Sequence, residues 1–255
     1  MNIKGKAVLF GLNYKHCTSG HLDGCINDVV NISTYIKSQY NIPIDTYTDD
    51  VNIVDTSNKG IIRRLYELAV DSYRNNLDFV WIHYSGHGSY VRDRTGDERD
   101  GFDECLVPSD YESSGFISDD YLCSLFTHFN PKTRIVCIFD CCHSATVGDL
   151  KYSWESPSKM SIENSKSKID AKILTLSGCL DNQTSADAFN VMGDNKSAGA
   201  LTACLLKVLT TVPNAKSNMF LMLQSLRSEL KKQSFSQIPK LCTSYLITKD
   251  SKFLP

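Results

Sequence analysis

Two short segments of the chain place nucleophilic and basic side chains directly after apolar runs. One reads HYSGHG (residues 83–88) and the other reads FDCCHS (residues 139–144). A cysteine thiol becomes a strong nucleophile when a nearby imidazole accepts its proton, and the two segments together offer such a pair. The glycines on either side of His87 leave the backbone open to close approach by a substrate. These residues therefore favour nucleophilic catalysis by a cysteine and a histidine.

The same residue types could instead bind zinc. His83 and His87 are four positions apart, and Cys141, Cys142 and His143 are consecutive. Rings four positions apart converge on a helix, but residues 83–87 leave a strand and enter a turn, where the rings need not converge. The chain has no CxxC pair, which structural zinc sites commonly use. Zinc is therefore the less favoured interpretation.

Alternating apolar strands and amphipathic helices surround the two segments. Residues 77–86 and 134–140 are continuous apolar runs, which are typical of strands buried on both faces of a parallel sheet. Further strands are predicted at 6–14, 44–48, 171–179 and 243–248, and helices at 26–40, 58–75, 118–129, 198–212 and 218–233. This alternation predicts an α/β fold, in which ligands bind at the carboxyl ends of the strands.

The overall composition excludes several classes of protein. The chain has 255 residues, 42% of them hydrophobic, and a net charge of −2, so a general affinity for nucleic acid or anionic membranes is not expected. No apolar stretch reaches the roughly 20 residues of a membrane span, and the N-terminal apolar stretch is too short for a signal peptide. Ten cysteines without a secretion signal are expected to be mostly reduced core residues, which indicates a cytoplasmic protein.

Residues 150–170 differ in composition from their surroundings. The segment is rich in serine and lysine and shows little periodicity, which predicts a linker loop. It would divide the chain into a larger part, residues 1–149, and a smaller part, residues 171–255. The larger part carries both reactive segments, and the smaller part completes the same sheet.

Several motifs, taken in order along the chain, resemble those of the metacaspases, which are caspase-like cysteine peptidases. They are HYSGHG, DGFDECLVPSD (100–110), FDCCHS and LSGCLDNQTSADA (176–188), with GHLDGCINDV (20–29) and SQIPKL (236–241) in agreement. The resemblance implies a caspase-like α/β/α sandwich with a mostly parallel central sheet, and a monomeric endopeptidase. Because the chain begins at its first strand, we expect the N-terminal prodomain of the family to be absent.

The resemblance assigns the catalytic roles by position. Cys142 is the nucleophile and His87 is the general base, while the backbone N–H groups of Gly88 and Cys142 are expected to stabilise the oxyanion. The family works with a dyad, so no third side chain is implied. Ala145 stands where the family usually has glycine, with a modest effect expected on the loop. The alternative is a non-catalytic scaffold or regulator of the same fold, but retention of His87 and Cys142 argues against it.

The residues implied for substrate selection are mainly acidic. The resemblance places Cys25, Asp28, Ser85 and Asp140 in the S1 pocket. Aspartate-specific caspases have glutamine where this chain has Asp140, whose carboxylate would repel an acidic P1 side chain. Two carboxylates favour arginine or lysine at P1, so we expect protein or peptide substrates with a basic P1 residue. The lysines of the 150–170 segment are then candidate sites of self-cleavage.

Residues 92–104 contain six acidic side chains, which composition alone would explain as a solvated loop. Calcium, however, takes about six to eight oxygen ligands, and acidic clusters supply them. The site of calcium-activated metacaspases matches Asp103, Asp119, Asp120 and Asp149 of this chain. The resemblance therefore implies calcium as a cofactor that orders the loop carrying the nucleophile.

Overall fold

The computed structural model describes residues 3–93, 101–141, 147–178, 187–189 and 197–255. Its strands are β1 (Gly5–Gly11), β2 (Ile44–Thr48), β3 (Phe79–Ser85), β4 (Gly88–Arg92), β5 (Phe102–Leu106), β6 (Ile117–Ser118), β7 (Arg134–Asp140), β8 (Tyr152–Ser156), β9 (Lys159–Ile162), β10 (Lys172–Ser177), β11 (Asp187–Phe189), β12 (Ser197–Gly199) and β13 (Lys240–Thr243). Its helices are α1 (Cys25–Gln39), α2 (Ile53–Thr56), α3 (Asn58–Arg74), α4 (Tyr111–Ser114), α5 (Asp119–Phe126), α6 (Ala200–Thr211) and α7 (Met219–Lys232).

The centre of the fold is an eight-stranded sheet in the order β2-β1-β3-β7-β10-β13-β8-β9. The first five strands are parallel, and the last three add antiparallel pairs. Helices α1, α6 and α7 pack on one face of the sheet. Helices α3 and α5 pack on the other face. The predicted α/β/α sandwich with a mostly parallel sheet is therefore confirmed.

Strand β7 shows why the central strands lack the alternation of polar and apolar residues. Ile135 and Cys137 belong to the core between the sheet and α3 and α5. Val136 and Ile138 belong to the core on the opposite face. Both faces of the strand must therefore be apolar, and the polar residues begin only where the strand ends at Asp140.

The segment 150–170 differs from the predicted linker loop. It contains β8 and β9, a hairpin that extends the sheet beyond β13. All four residues of β9 are exposed, because the strand lies at the edge of the sheet. An exposed edge strand has no buried face to impose an apolar pattern, and the sequence therefore did not indicate it.

The final strand also differs from the prediction of residues 243–248. The strand β13 begins earlier, after Pro239, and ends at Thr243. Regular pairing stops at the next residue: the Ser244 N–H still donates to the carbonyl of Ile173, but the Ile173 N–H donates to the Ser244 hydroxyl oxygen at 2.9 Å. The apolar residues that follow Ser244 therefore lie outside the sheet.

Two smaller sheets accompany the central one. Strands β4, β5 and β6 form an antiparallel sheet, and β11 pairs with β12 just before α6. Among the described residues, none of the helices has the length and hydropathy that crossing a membrane requires.

Candidate active site

The two reactive segments leave the sheet at the carboxyl ends of neighbouring parallel strands. Strands β3 and β7 are adjacent and parallel, and Ser85 pairs with Asp140 in register. The turn that carries His87 and the loop that follows Cys141 therefore start side by side. Cys142 and Ala145 lie outside the described residues. Cys141 is fully buried in the core, where a thiol is not accessible to a substrate.

The imidazole of His87 is held by the loop that follows β1. Its Nε2 lies 2.6 Å from the carbonyl oxygen of Gly20. Because a carbonyl oxygen only accepts hydrogen bonds, Nε2 must carry the proton, and Nδ1 of the neutral ring has a free lone pair. Gly20 has a φ of +75°, and a Cβ there would lie 3.2 Å from Nε2. The ring is thus presented with Nδ1 available to accept a proton.

The carboxylate of Asp28 lies at the beginning of α1, beneath the turn after β3. The Ser85 hydroxyl donates to Asp28 Oδ2 at 2.6 Å. The backbone N–H of Gly199 donates to both carboxylate oxygens, at 2.9 and 3.0 Å. The side chain is fully buried. Cys25 lies one turn earlier in α1, and its N–H donates to Asn13 Oδ1 at 3.0 Å.

The carboxylate of Asp140 lies beside that of Asp28. Its Oδ2 accepts a hydrogen bond of 2.8 Å from the backbone N–H of Thr202, in the first turn of α6. A Cβ on Gly199 would lie 2.1 Å from Asp140 Oδ2 and 2.7 Å from Asp28 Oδ2, so the two oxygens are within about 5 Å of each other. The N-terminal end of α6 favours negative charge at both acids. The structure therefore brings all four predicted S1 residues together near the carboxyl ends of β3 and β7.

The acids predicted to bind calcium lie near the start of α5, and several are buried. Asp119 accepts the backbone N–H of Glu104 at 3.0 Å and that of Asp120 at 2.8 Å. Burial and a side-chain hydrogen bond to Glu104, which stabilises the protonated carboxyl of Asp119, raise the pKa of Asp119 well above its usual range. Asp149 binds the side-chain amide of Asn164. Among the described residues, no three or more His, Cys, Asp or Glu side chains are already arranged to hold a metal ion.

The thiol of Cys123 shows that three of these acids nevertheless share one region. Burial, followed by the charges of Asp149, Asp120 and Asp119, raises the pKa of this thiol to about 12. Carboxylate oxygens are the ligands that calcium prefers, so the donor type fits this ion. The acids therefore fit calcium in the chemistry of their donor atoms.

His83 is separated from His87 by its surroundings. It is fully buried in β3, and neither of its ring nitrogens has a hydrogen-bond partner in the described structure. Burial lowers its pKa to about 3, so the ring is neutral. The zinc interpretation of this pair thus has no support in the described part of the chain.

Three contacts at the site were missed by sequence reasoning. They involve the carbonyl of Gly20, the N–H of Gly199, and the hydroxyl of Tyr14, which accepts the His87 N–H at 2.9 Å. Backbone groups leave no mark in the residue type, so the first two had no signal. Tyr14 could have been found, because it follows β1, whose carboxyl end lies beside that of β3.

Solved structures place the fold in a known class. Caspase-1 from Spodoptera frugiperda is 12% identical, with a TM-score of 0.61 over 99% of this chain and 90% of that chain. A protein from Geobacter sulfurreducens is 23% identical, with a TM-score of 0.68 over 98% of both chains. The molecule has a caspase-like fold, in which a histidine-bearing segment and a cysteine-bearing segment follow the carboxyl ends of neighbouring strands.

Sequence comparisons identify the family. Residues 5–151 match the family described as "Metacaspase, peptidase C14 domain". Metacaspase-2 of Trypanosoma brucei brucei is 31% identical over 97% of this chain and 75% of its own length. Metacaspase-1 of Candida glabrata is 31% identical over 100% of this chain and 76% of its own length. The chain belongs to the metacaspase family of cysteine peptidases.

Proposed function

We propose that this metacaspase is an endopeptidase that cleaves proteins after arginine or lysine, with Cys142 as its nucleophile and His87 as its general base. The observation that supports this most is that the proposed catalytic and P1-binding residues converge at the carboxyl ends of β3 and β7. His87, the strand that leads to Cys142, and the carboxylates of Asp28 and Asp140 all meet there. Chemistry and selection of a basic side chain can therefore occur in one place.

The reaction follows from the tautomer of His87. Nδ1 accepts the proton of the Cys142 thiol, and the thiolate attacks the carbonyl carbon of the scissile bond. The N–H groups of Gly88 and Cys142 stabilise the oxyanion. The imidazolium then protonates the leaving amine, which leaves a thioester on Cys142. Water hydrolyses the thioester, with His87 again accepting a proton.

The preference for a basic P1 residue rests on two neighbouring carboxylates. Asp28 and Asp140 are both almost completely buried, and their oxygens approach within about 5 Å. Charges of the same sign this close in a buried site favour a cation and disfavour an acidic side chain. Ser85 and Cys25 flank Asp28 and would shape the same pocket.

Calcium activation is the second part of the proposal. Asp103, Asp119, Asp120 and Asp149 would hold the ion, whose charge would allow these carboxylates, three of them buried, to be ionised together. Asp149 follows Cys142 by seven positions. Drawing Asp149 toward the other acids would fix that end of the loop, which connects ion binding to the position of the nucleophile.

Self-cleavage, a monomeric state and a cytoplasmic location complete the proposal. Lys166 and Lys168 are exposed and lie outside regular secondary structure, which makes them the most accessible lysines for self-cleavage within 150–170. Mass spectrometry of the wild type and of Cys142→Ala after incubation with calcium tests this cleavage.

Light scattering of the Cys142→Ala variant tests the monomeric state.

Paired fluorogenic peptides test the main proposal. Peptides with Arg, Lys or Asp at P1 are offered to the wild type, Cys142→Ala and Cys141→Ala, each with millimolar calcium and with chelator. We expect calcium-dependent cleavage after Arg and Lys that is lost only in Cys142→Ala. Loss of cleavage in Cys141→Ala instead would show that Cys141, and not Cys142, is the nucleophile. Cleavage after Asp would reject the assigned specificity.

A further inference from the structure

Two buried tyrosines contact the backbone of the histidine from opposite sides. The N–H of His87 donates to the Tyr14 hydroxyl oxygen at 2.9 Å. The hydroxyl of Tyr84 donates to the carbonyl oxygen of His87, also at 2.9 Å. The two hydroxyl oxygens are 3.0 Å apart, and both side chains are almost completely buried. The histidine backbone is thus bound at both of its polar groups.

The hydrogen bonds can be satisfied in only a few ways, because each hydroxyl has one proton. The carbonyl oxygen of Val107 lies 2.6 Å from the Tyr14 hydroxyl and 2.8 Å from that of Tyr84. If Tyr14 donates to Val107 and Tyr84 donates to His87, every polar group in the cluster has a partner. Burial raises the pKa of both phenols well above the usual value, so both keep their protons.

Gly86 is required by this arrangement. A Cβ at Gly86 would lie 2.7 Å from the Tyr14 hydroxyl and 2.9 Å from the Tyr84 hydroxyl. Both distances are too short for a side chain, so only glycine lets the hydroxyls reach the backbone of the next residue. The glycine before His87 therefore makes room for the tyrosines.

Tyr14 also contacts the imidazole itself. The two ring centroids are 4.8 Å apart, at an interplanar angle of 36°. The backbone of Tyr14 has a φ of +55°, which is uncommon for a residue other than glycine. Its N–H donates to Asp49 Oδ2 at 2.6 Å, which helps to hold this conformation. The Tyr14 ring therefore packs against the imidazole of His87 from a backbone that is itself held in place.

We propose that Tyr14 and Tyr84 are positioning residues for His87. Tyr14 fixes the N–H side of the backbone and the plane of the ring, and Tyr84 fixes the carbonyl side. Together with the Gly20 carbonyl, they hold the imidazole so that Nε2 is occupied and Nδ1 is left to accept a proton. This role rests on His87 being the general base of the proposed function.

Removal of the Tyr14 hydroxyl tests the proposal by kinetics. We expect Tyr14→Phe to lower kcat roughly tenfold to a hundredfold, with KM for a P1 Arg peptide nearly unchanged, because misplacement of a catalytic group affects the chemical step. The matched control is Tyr35→Phe. Tyr35 is also buried, but its hydroxyl has no hydrogen-bond partner in the described structure, and it packs on the opposite face of the sheet from Tyr14 and Tyr84. We expect kcat of this control to equal that of the wild type.

A spectroscopic measurement separates positioning from general damage. In the Cys142→Ala background, the Nε2–H proton of His87 should be protected from solvent exchange by Gly20 and give an observable NMR signal. We expect Tyr14→Phe to broaden or remove this signal while the melting temperature stays close to that of Tyr35→Phe. If Tyr14→Phe fails to fold, Tyr84→Phe keeps the His87 N–H bond and the Tyr14 ring, and both measurements are made on it.

The outcomes distinguish the two proposals. An unchanged His87 signal and unchanged kcat in the tyrosine variants would overturn the positioning role, as would an equal loss in Tyr35→Phe. A changed signal in the inactive background, together with a wild type that cleaves no basic peptide, would support the tyrosines and reject the proposed function instead. The NMR result does not depend on catalysis.

Discussion

At the scale of single residues, the orientation of His87 depends on a carbonyl group 67 positions away. The sequence indicated His87 as a base through its place after an apolar strand and through the metacaspase-like motif HYSGHG. It could not indicate Gly20 as the acceptor for Nε2, because any residue has a carbonyl group. What the sequence does record is the glycine that the positive φ requires.

Gly20→Ala is expected to lower kcat at least tenfold through displacement of the imidazole. The new Cβ would lie 3.2 Å from Nε2 and would also strain a backbone at φ +75°. Gly115→Ala is the matched control, since Gly115 has a φ of +72° but no atom within 4 Å of the new Cβ. Both variants should lose about 1 kcal/mol of stability, and only Gly20→Ala should lose activity. Equal activities would contradict the assigned role of Gly20.

His83 is expected to make stability depend on pH. Its pKa is lowered to about 3 in the folded protein, whereas an unfolded histidine titrates near about 6.5. The unfolded chain therefore binds the extra proton between these values. The free energy of unfolding should fall as pH falls below about 6.5, by up to about 1.4 kcal/mol per pH unit.

Urea unfolding of the Cys142→Ala protein at pH 7 and pH 5 measures this slope. His83→Leu has a similar volume and no titratable group, so the contribution of His83 should disappear in it. An identical pH dependence in the two proteins would show that His83 does not contribute.

At the scale of elements, the start of α6 holds the carboxylates of Asp28 and Asp140, the two acids proposed to select P1. The sequence motifs indicated Asp28 and Asp140, but no pattern indicated that Gly199 lies between them. Gly199 is 171 positions from Asp28, and its contribution is a backbone N–H. Only the path of the chain into α6 reveals the contact.

Gly199→Ala is expected to raise KM for P1 Arg peptides more than tenfold, because its Cβ would overlap both carboxylates. Gly178→Ala is the control on the other side of Asp140. Its Cβ would lie 3.6 Å from Asp140 Oδ1, which is ordinary contact. Steady-state kinetics of the two variants decide the matter, and a normal KM in Gly199→Ala would count against a role for these carboxylates in binding P1.

The accuracy of the predicted elements follows from burial. Residues 134–140 were predicted with the bounds that β7 has, because that strand is covered on both faces. The hairpin within 150–170 was missed, because its outer strand β9 is exposed along its length. The family was indicated by motifs at strand ends, where function constrains residue types more than packing does.

At the scale of the whole molecule, the two groups of acids lie on opposite sides of the sheet. Asp28 and Asp140 lie on the side of α1 and α6, and Asp119 begins α5 on the other side. The segment from Asp140 to Asp149 passes from one group to the other. The order of motifs along the chain does not reveal this separation, since it depends on which face each helix covers.

Asp149→Asn is expected to abolish the response to calcium while leaving the calcium-free fold intact. The asparagine oxygen can still accept the Asn164 amide, but the charge that would bind the ion is lost. Millimolar calcium should raise the melting temperature of the Cys142→Ala protein and leave that of the double variant unchanged. Asp170→Asn, an exposed acid, is the control. If calcium still raised the melting temperature of the Asp149→Asn protein by the normal amount, Asp149 would not be a calcium ligand.

The ladder between β4 and β5 has a consequence for changes in chain length. Gly88 pairs with Leu106 at one end of this ladder, and Asp103 pairs with Val91 nearer the other. Deletion or insertion of one residue between Asp103 and Leu106 would leave only one of these two pairs in register and would turn the residues on the other side of the change to the opposite face. Natural variation in length should therefore collect in the connection between Arg92 and Phe102, where added residues leave the register intact.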